Sequence, residues 1–361
     1  MPAKNVEESQ VLEALKSVED PDLHQDIVSL GFIKNLRICE GTVAFDINLT
    51  TPACPVKELL EKQARTAVAA LPGVEQVNIT MKAEVKAARG PDVSALKGVK
   101  NIVAVGSGKG GVGKSTVAAN LAVAFALEGA KVGLLDADIY GPSIPIMMGA
   151  PGETPIRDNL IQPKVAHGIK FMSMGFFAQG DQPLIWRGPM AHRAVEQCLT
   201  DVEWGDLDYL FVDLPPGTGD VHLTLVQTVS LAGAVIVSTP QDVGLTISMK
   251  TLRMLQETKV KILGIVENMS YHLCSHCGER ENIFGHGGAK DAAQKMDIPF
   301  LGEIPLDTEI RKNADKGVPI VIGQPDSAAA VTYREIARAL AAQISIANFN
   351  STKLEVVEEP A

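Results

Sequence analysis

The sequence predicts an α/β protein in which a mostly parallel sheet carries helices on both faces, preceded by a small α+β domain. Apolar strand-length runs at residues 102–105, 131–136, 209–213, 234–239 and 262–267 are mostly separated by helical patterns. Such alternation marks parallel strands buried on both faces. A Gly-rich string joins the first run to a helix. Before residue 84 the spacing of apolar residues switches between helical and alternating, the mark of a separate mixed unit.

In the small domain, residues 1–83, Val11, Leu12, Leu15 and Val18 recur at helical spacing. Residues 32–38 read as a strand, Gly41 as a turn, and Val43, Phe45, Ile47 and Leu49 alternate, so the pair predicts a hairpin. Pro55 opens a helix with Leu59, Leu60, Ala64 and Ala67 on one side, and Val74, Val77, Ile79 and Met81 mark a last strand. The order is α-β-β-α-β. Residues 84–99, with Ala88-Arg89-Gly90-Pro91 at their centre, read as a linker. Residues 100–345 form the large domain, and residues 346–361 are expected to be a mobile acidic tail.

The chain has 361 residues, 33 basic and 43 acidic, with a formal net charge of −10. A 46% hydrophobic fraction excludes wholesale disorder. An acidic chain is a poor partner for nucleic acid or an anionic membrane, and neither is expected here. No apolar run reaches the ~18 residues that span a bilayer. The first residues lack the apolar core of a signal peptide, and the five cysteines (39, 54, 198, 274, 277) are an odd, mostly scattered set. A reducing, cytoplasmic setting is the expectation. Cys39 and Cys198 lie in strand-like and helix-like patterns and read as packing residues.

The string Gly108-Lys109-Gly110-Gly111-Val112-Gly113-Lys114-Ser115, followed by Thr116, fits the phosphate-loop pattern G-x-x-x-x-G-K-[ST] between a strand and a helix. Glycines let backbone N–H groups face a β-phosphate, Lys114 reaches the β/γ oxygens, and the Ser115 hydroxyl takes Mg²⁺. The fold expectation sharpens to a P-loop NTPase. With Lys109 included, the string resembles the deviant Walker A loop of the MinD, ParA and nitrogenase-iron-protein group. That resemblance implies that Lys109 reaches across a dimer interface to the partner's nucleotide, supplying charge in trans.

Residues 134–138 end a strand with Asp136 and Asp138. Resemblance to the group's first switch implies that Asp138 orients the attacking water, while Asp136 supports magnesium or the loop. Residues 208–213 end in Asp213, the Walker B pattern, near Mg²⁺ through water. Leu214-Pro215-Pro216-Gly217-Thr218-Gly219-Asp220 then reads as a second switch loop. Asn268 resembles the group's adenine-contacting Asn, and without an Asn-Lys-x-Asp guanine reader ATP is favoured over GTP.

Cys274-Ser275-His276-Cys277 is a C-x-x-C. By spacing it is half a zinc site, a redox pair or half a cluster site. Two pairs meeting across a dimer would give four thiolates. His272, His276 and His286 are near enough in sequence to be alternative zinc ligands. Asp138-Ile139-Tyr140-Gly141-Pro142-Ser143-Ile144-Pro145, the loop after Asp213, and Glu267-Asn268-Met269-Ser270 with the Cys pair resemble the Mrp/ApbC family over about residues 98–345.

That resemblance implies an iron–sulfur cluster carrier ATPase. Two subunits of a homodimer would hold a labile [4Fe–4S] cluster on Cys274 and Cys277 and pass it to apo-proteins alongside cluster assembly factors. The small domain resembles the one found in iron–sulfur assembly factors, through Thr50-Thr51-Pro52-Ala53-Cys54-Pro55. Cys54, just before a helix start, is either a further candidate thiol whose pKa the helix end would depress or a half-buried structural Cys at an N-cap. Competing readings are a membrane or nucleoid positioning ATPase, a redox ATPase with a stable cluster, and a zinc-stapled dimer scaffold. The acidic tail counts against the first, and the close i, i+3 ligand spacing against the second. The identity of the bound metal separates the last from a carrier.

Overall fold

A computed structural model of the chain describes residues 6–88, 96–177, 188–217, 220–241, 251–274 and 276–358. Gly90 and Pro91 of the predicted linker, Trp186, Arg187, Thr218, Gly219 and Ser275 lie outside the described residues. The chain divides into two units, Met1–Lys86 and Ala87–Ala361.

The first unit runs α1 (Glu8–Leu15), β1 (Ile33–Cys39), β2 (Thr42–Leu49), α2 (Lys57–Ala69) and β3 (Gln76–Ala83). β1 and β2 form the predicted antiparallel hairpin, closed through Gly41 at φ +78°. β3 lies parallel to β2, from Thr42↔Gln76 to Leu49↔Ala83, because α2 carries the chain back across the sheet. Val11, Leu15, Val43, Phe45, Ile47, Leu60, Ala64 and Val68 are buried together in its core. The alternation read in the sequence is therefore the inward face of β2. Two short paired strands, Glu19–Asp20 and Gln25–Asp26, were not foreseen.

The second unit contains β4 (Val99–Ser107), α3 (Lys114–Leu127), β5 (Val132–Asp136), α4 (Ile144–Met147), β6 (Lys164–Ala166), β7 (Ile169–Ser173) and α5 (Gly188–Thr200). It continues through β8 (Leu207–Asp213), α6 (Asp220–Thr228), β9 (Gly233–Ser238), β10 (Ile262–Glu267), β11 (His272–Leu273), β12 (Arg280–Glu281) and α7 (Gly288–Lys295). β13 (Phe300–Glu303), α8 (Thr308–Asp315), α9 (Ile320–Gly323) and α10 (Ala328–Glu358) follow. The eight-stranded sheet has the order β6-β7-β5-β8-β4-β9-β10-β13. Every pairing in it is parallel except β6 with β7. β4, β5, β8, β9 and β10 were legible as apolar runs; the edge strands β6 and β13, and β7 next to β6, were not.

α3 is buried almost all round, from Val117 through Phe125. Phe125 packs edge-on against Tyr209 at 4.8 Å and Phe211 at 5.2 Å between ring centres. A helix so enclosed is held by tertiary burial rather than by an amphipathic stripe, and truncating Phe125 to Ala would cost about 3–5 kcal/mol. The stop of α3 is as read, with Gly129 at φ +97°.

The chain's end differs from the expectation. Residues 346–358, read as part of a mobile tail, continue α10. Ile344 and Ala347 are buried, and Asn348 Nδ2 donates to Asn101 Oδ1 at 2.9 Å, so this stretch has the partners that a solvated tail lacks.

Candidate functional site

The site is built at the carboxyl ends of the central strands, where open α/β sheets bind ligands. β4 ends at Ser107 and the phosphate loop turns into α3 through Gly111 at φ +80° and Gly113 at φ +79°. Gly113 serves two needs. Its left-handed backbone favours glycine, and a Cβ there would collide with the Asn268 amide nitrogen. The loop, Ser115, Thr116, Asp138, Ser143 and Pro216 line a cavity of about 220 Å³. A cavity of about 560 Å³ between Leu127 and Arg338 is larger but holds none of the predicted residues, so size does not locate the site.

Lys114 is buried within this cradle. Its Nζ donates to Asp213 Oδ1 at 2.5 Å, lies 4.0 Å from Asp138 Oδ2, and is 3.4 Å from Ser115 Oγ. The parallel register puts Asp213 beside Asp136, and the Asp213 carbonyl accepts the Ala137 N–H. One buried lysine thus faces a carboxylate from each of two strand ends. Among the described residues, Asp213 Oδ2 has no hydrogen-bond partner. Burial pushes the Asp213 carboxyl up from the usual range, and the Lys114 charge opposes that.

Asp138 and Asp136 divide their work. Asp138 Oδ1 accepts the N–H groups of Tyr140 and Gly141, both at 3.3 Å, which leaves Oδ2 on the Lys114 side. Asp136 Oδ1 accepts the Asp138 N–H at 3.2 Å, and Oδ2 accepts the Ile144 N–H at 3.1 Å and the Ser173 hydroxyl at 2.9 Å. Asp136 therefore ties down both ends of the first switch. Burial, then the Asp213 charge, pushes its carboxyl up to about 7.

Lys109 Nζ donates to Gln241 Oε1 at 3.1 Å. Asn268 Nδ2 donates to the Val112 carbonyl at 2.8 Å, holding the phosphate loop from the far side. The second switch is pinned at its described end, with the Leu214 N–H on the Val105 carbonyl and the Gly217 N–H on Ser107.

From Asn268 the chain runs to the Cys pair. β11 and β12 form a two-residue antiparallel hairpin, and the pair sits on its tip. The Cys274 N–H bonds the Glu279 carbonyl at 2.9 Å, and the Gly278 N–H returns to the Cys274 carbonyl at 2.8 Å. The N–H groups of Cys277 and His276 point at the Cys274 sulfur and, with the Cys277 thiol, pull its pKa below the usual thiol range. Cys277 is exposed and both thiols are free. This knuckle presents two soft ligands to solvent.

Among the described residues, no histidine joins the two thiols in a group of three metal-capable side chains. His272 Nδ1 bonds the Leu306 carbonyl and His286 Nδ1 accepts from Arg280. Among the described residues, the group of three metal-capable side chains that comes together is Glu267, His286 and Glu303.

Of the two readings of Cys54, the structure supports the half-buried structural one. It packs against the small-domain core, and burial pushes its thiol up to about 11 rather than down. α2 begins only at Lys57, so the helix end does not outweigh desolvation. Cys39, expected to pack, is exposed at the end of β1, whereas Cys198 is buried with its sulfur 3.6 Å from Met174 Sδ. Sequence reasoning missed Ser173, Gln241 and Arg280. Gln241 follows the end of β9 and Arg280 follows Cys277 by three residues; Ser173 carries no local signal.

This geometry defines a P-loop nucleotide-binding protein with a Cys pair, Cys277 exposed and Cys274 half-buried, on a segment that follows Asn268. Residues 98–341 match the family described as NUBPL iron-transfer P-loop NTPase, and residues 8–80 match that described as iron-sulfur cluster assembly protein. The chain is similar to an iron-sulfur cluster carrier protein of Deinococcus radiodurans, 50% identical over 339 residues, covering 93% of this chain and 95% of that one. It is 41% identical over 339 residues to an iron-sulfur cluster carrier protein of Escherichia coli, covering 93% and 92%. Among solved structures it resembles a nucleotide-binding protein of Archaeoglobus fulgidus in complex with ADP, at a TM-score of 0.55 and 45% identity, over 62% of this chain and 88% of that one. The chain belongs to the iron-transfer P-loop NTPase family. Among the described residues no helix is long and apolar enough to cross a membrane.

Proposed function

We propose that the protein is an ATP-dependent iron–sulfur cluster carrier. Two copies hold a labile [4Fe–4S] cluster on Cys274 and Cys277 of each chain and pass it to apo-proteins, and ATP hydrolysis controls the dimer. The observation that carries this reading is the Cys knuckle, two free thiols with Cys274 biased toward thiolate, reached from the phosphate-loop contact of Asn268 through residues 268–274. Two thiolates fill half of a four-ligand set, so a second chain completes it. Exposed ligands shared between chains suit cargo that must leave.

In the nucleotide site Lys114 holds the β/γ-phosphates and the N–H groups of Gly110 to Ser115 cradle them. Mg²⁺ fits the donors present: the Ser115 hydroxyl and Asp213 Oδ2, which has no hydrogen-bond partner among the described residues, are hard oxygen donors, and both residues lie beside the Lys114 ammonium. When bound it neutralises phosphate charge. Asp138 Oδ2 orients the attacking water. Lys109 leaves Gln241 to reach the partner's nucleotide, and Asn268 faces the base. The small domain, residues 1–83, and the linker at 84–99 accompany an ATPase domain over 100–345.

Anaerobic reconstitution with iron and sulfide tests the reading. About four iron and four sulfide per dimer are expected, absent from the Cys274→Ala/Cys277→Ala variant and transferable to an apo-acceptor. Zinc instead, or iron unchanged by the double substitution, overturns it.

A further inference from the structure

The hairpin that carries the Cys pair is too short to hold itself. Its ladder is His272↔Glu281 and Leu273↔Arg280 alone, and isolated two-stranded pairs are marginal even when longer. No disulfide closes it. His272 Nδ1, on the Leu306 carbonyl, holds the outgoing strand, and Arg280 fastens the return strand. Its Nη2 donates to Glu303 Oε2 at 2.8 Å and to His286 Nδ1 at 3.0 Å, and its guanidinium carbon lies 4.0 Å from the centre of the Tyr271 ring.

These partners belong to three different pieces of the fold. Tyr271 lies on the segment leaving Asn268, His286 on the loop before α7, and Glu303 on the edge strand β13. Glu303 is the register partner of Glu267, the residue before Asn268. Glu267 is itself immobilised, accepting the Ser270 hydroxyl at 2.7 Å and the Ala289 N–H at 2.8 Å. Arg280 thus joins the return strand of the hairpin to the same frame that holds Asn268 on the phosphate loop. Glu267, His286 and Glu303 lie close enough together to attract a divalent cation, but the guanidinium already stands on two of them.

We propose that Arg280 is a positioning residue for the cargo thiolates. It fixes the direction in which Cys274 and Cys277 face the second chain, and it couples cluster retention to nucleotide through residues 268–274. The proposal rests on the cluster-ligand reading given above. A planar guanidinium suits the task because one group stacks on Tyr271 while donating to two acceptors.

The test uses the full chain, reconstituted with iron and sulfide without oxygen, as wild type, Arg280→Met, Glu303→Gln, their combination, and Cys274→Ala/Cys277→Ala. The readouts are iron and sulfide per chain, the visible circular dichroism of the cluster, and iron loss to a chelator with and without Mg-ATP. Arg280→Met and Glu303→Gln are each expected to lose iron roughly two- to fivefold faster, as weakening a partly solvent-exposed charge pair implies. Their cluster spectrum is altered, and the nucleotide effect on release shrinks. The combination is no faster than Arg280→Met alone, since Glu303→Gln acts on a contact that the arginine substitution already removes. Arg280→Lys restores part of the retention.

Wild-type release and spectrum in both single variants overturn the proposal, as does additivity in the combination. Glu303→Gln leaves the arginine in place, so a folding failure of Arg280→Met does not remove the test. Iron bound equally by the Cys double variant overturns the ligand reading itself, and this proposal with it. Iron lost there, but held normally by Arg280→Met and Glu303→Gln, overturns this proposal alone.

Discussion

Asn268 and Val112 are 156 residues apart in the chain and joined by a 2.8 Å hydrogen bond from the Asn268 amide to the Val112 carbonyl. The contact makes the end of β10 a wall of the phosphate loop. Asn268→Ala leaves the Val112 carbonyl, in a buried setting, without its donor. An unmet buried acceptor costs about 1–3 kcal/mol. Affinity for Mg-ADP is therefore expected to fall by roughly 5- to 100-fold in titration calorimetry. Asn268→Asp, which sets an acceptor against an acceptor, should be no better. Wild-type affinity in both variants would mean the contact does not support the loop.

Lys114 and Asp213 form a buried pair that is costly to break from one side only. Lys114→Met leaves an uncompensated carboxylate beside Asp136, and removing one partner of a buried ion pair typically costs about 3–5 kcal/mol. Lys114→Met/Asp213→Asn is expected to recover at least half of that loss in urea denaturation, though neither variant hydrolyses ATP. Equal midpoints for the single and double variants would show that the lost charge balance is not the source of the instability.

The nucleotide site was legible in the sequence because its parts are contiguous strings at strand ends. The phosphate loop, Asp136, Asp138 and Asp213 each follow an apolar run, and the parallel register brings those ends to one edge. Ser173 was hidden because its role depends on β7 pairing with β5, which sets it beside Asp136, and the stretch before it carries no periodic signal. Arg280 was hidden for the same reason. Nothing near it in sequence announces Tyr271 or Glu303. The helix-end reading of Cys54 failed because that argument is local, whereas the desolvation that raises the thiol comes from residues packed around it.

The cysteines should separate by reactivity. The Cys277 and His276 N–H groups lower the Cys274 thiol, burial raises Cys54 to about 11, and burial raises Cys198 to about 12. The thiolate is the reactive form, so a lowered pKa brings modification in at lower pH. Iodoacetamide labelling of the metal-free chain at pH 7.5, followed by peptide mass spectrometry, is expected to modify Cys274 at least tenfold faster than Cys54. Its rate should level off at a lower pH than an unperturbed thiol, near 8.5. Equal labelling of Cys54 would place that thiol in a far wetter setting than its packing implies.

Asp136 gives the fold a pH dependence whose sign is fixed. Its carboxyl lies at about 7 in the folded chain, well above an unfolded aspartate near 3.9. The folded state therefore holds a proton that the unfolded chain has released. This contribution is fully present below about pH 4, and it is lost as pH rises to about 7. Between pH 5 and 8 the loss amounts to about 2–3 kcal/mol. Asp136→Asn cannot ionise. It gives up one acceptor to the switch at every pH but is spared the rising cost. Denaturation of both proteins across this range should show the variant gaining on the wild type as pH increases. Parallel curves would mean that Asp136 stays ionised throughout, with Lys114 shared between it and Asp213.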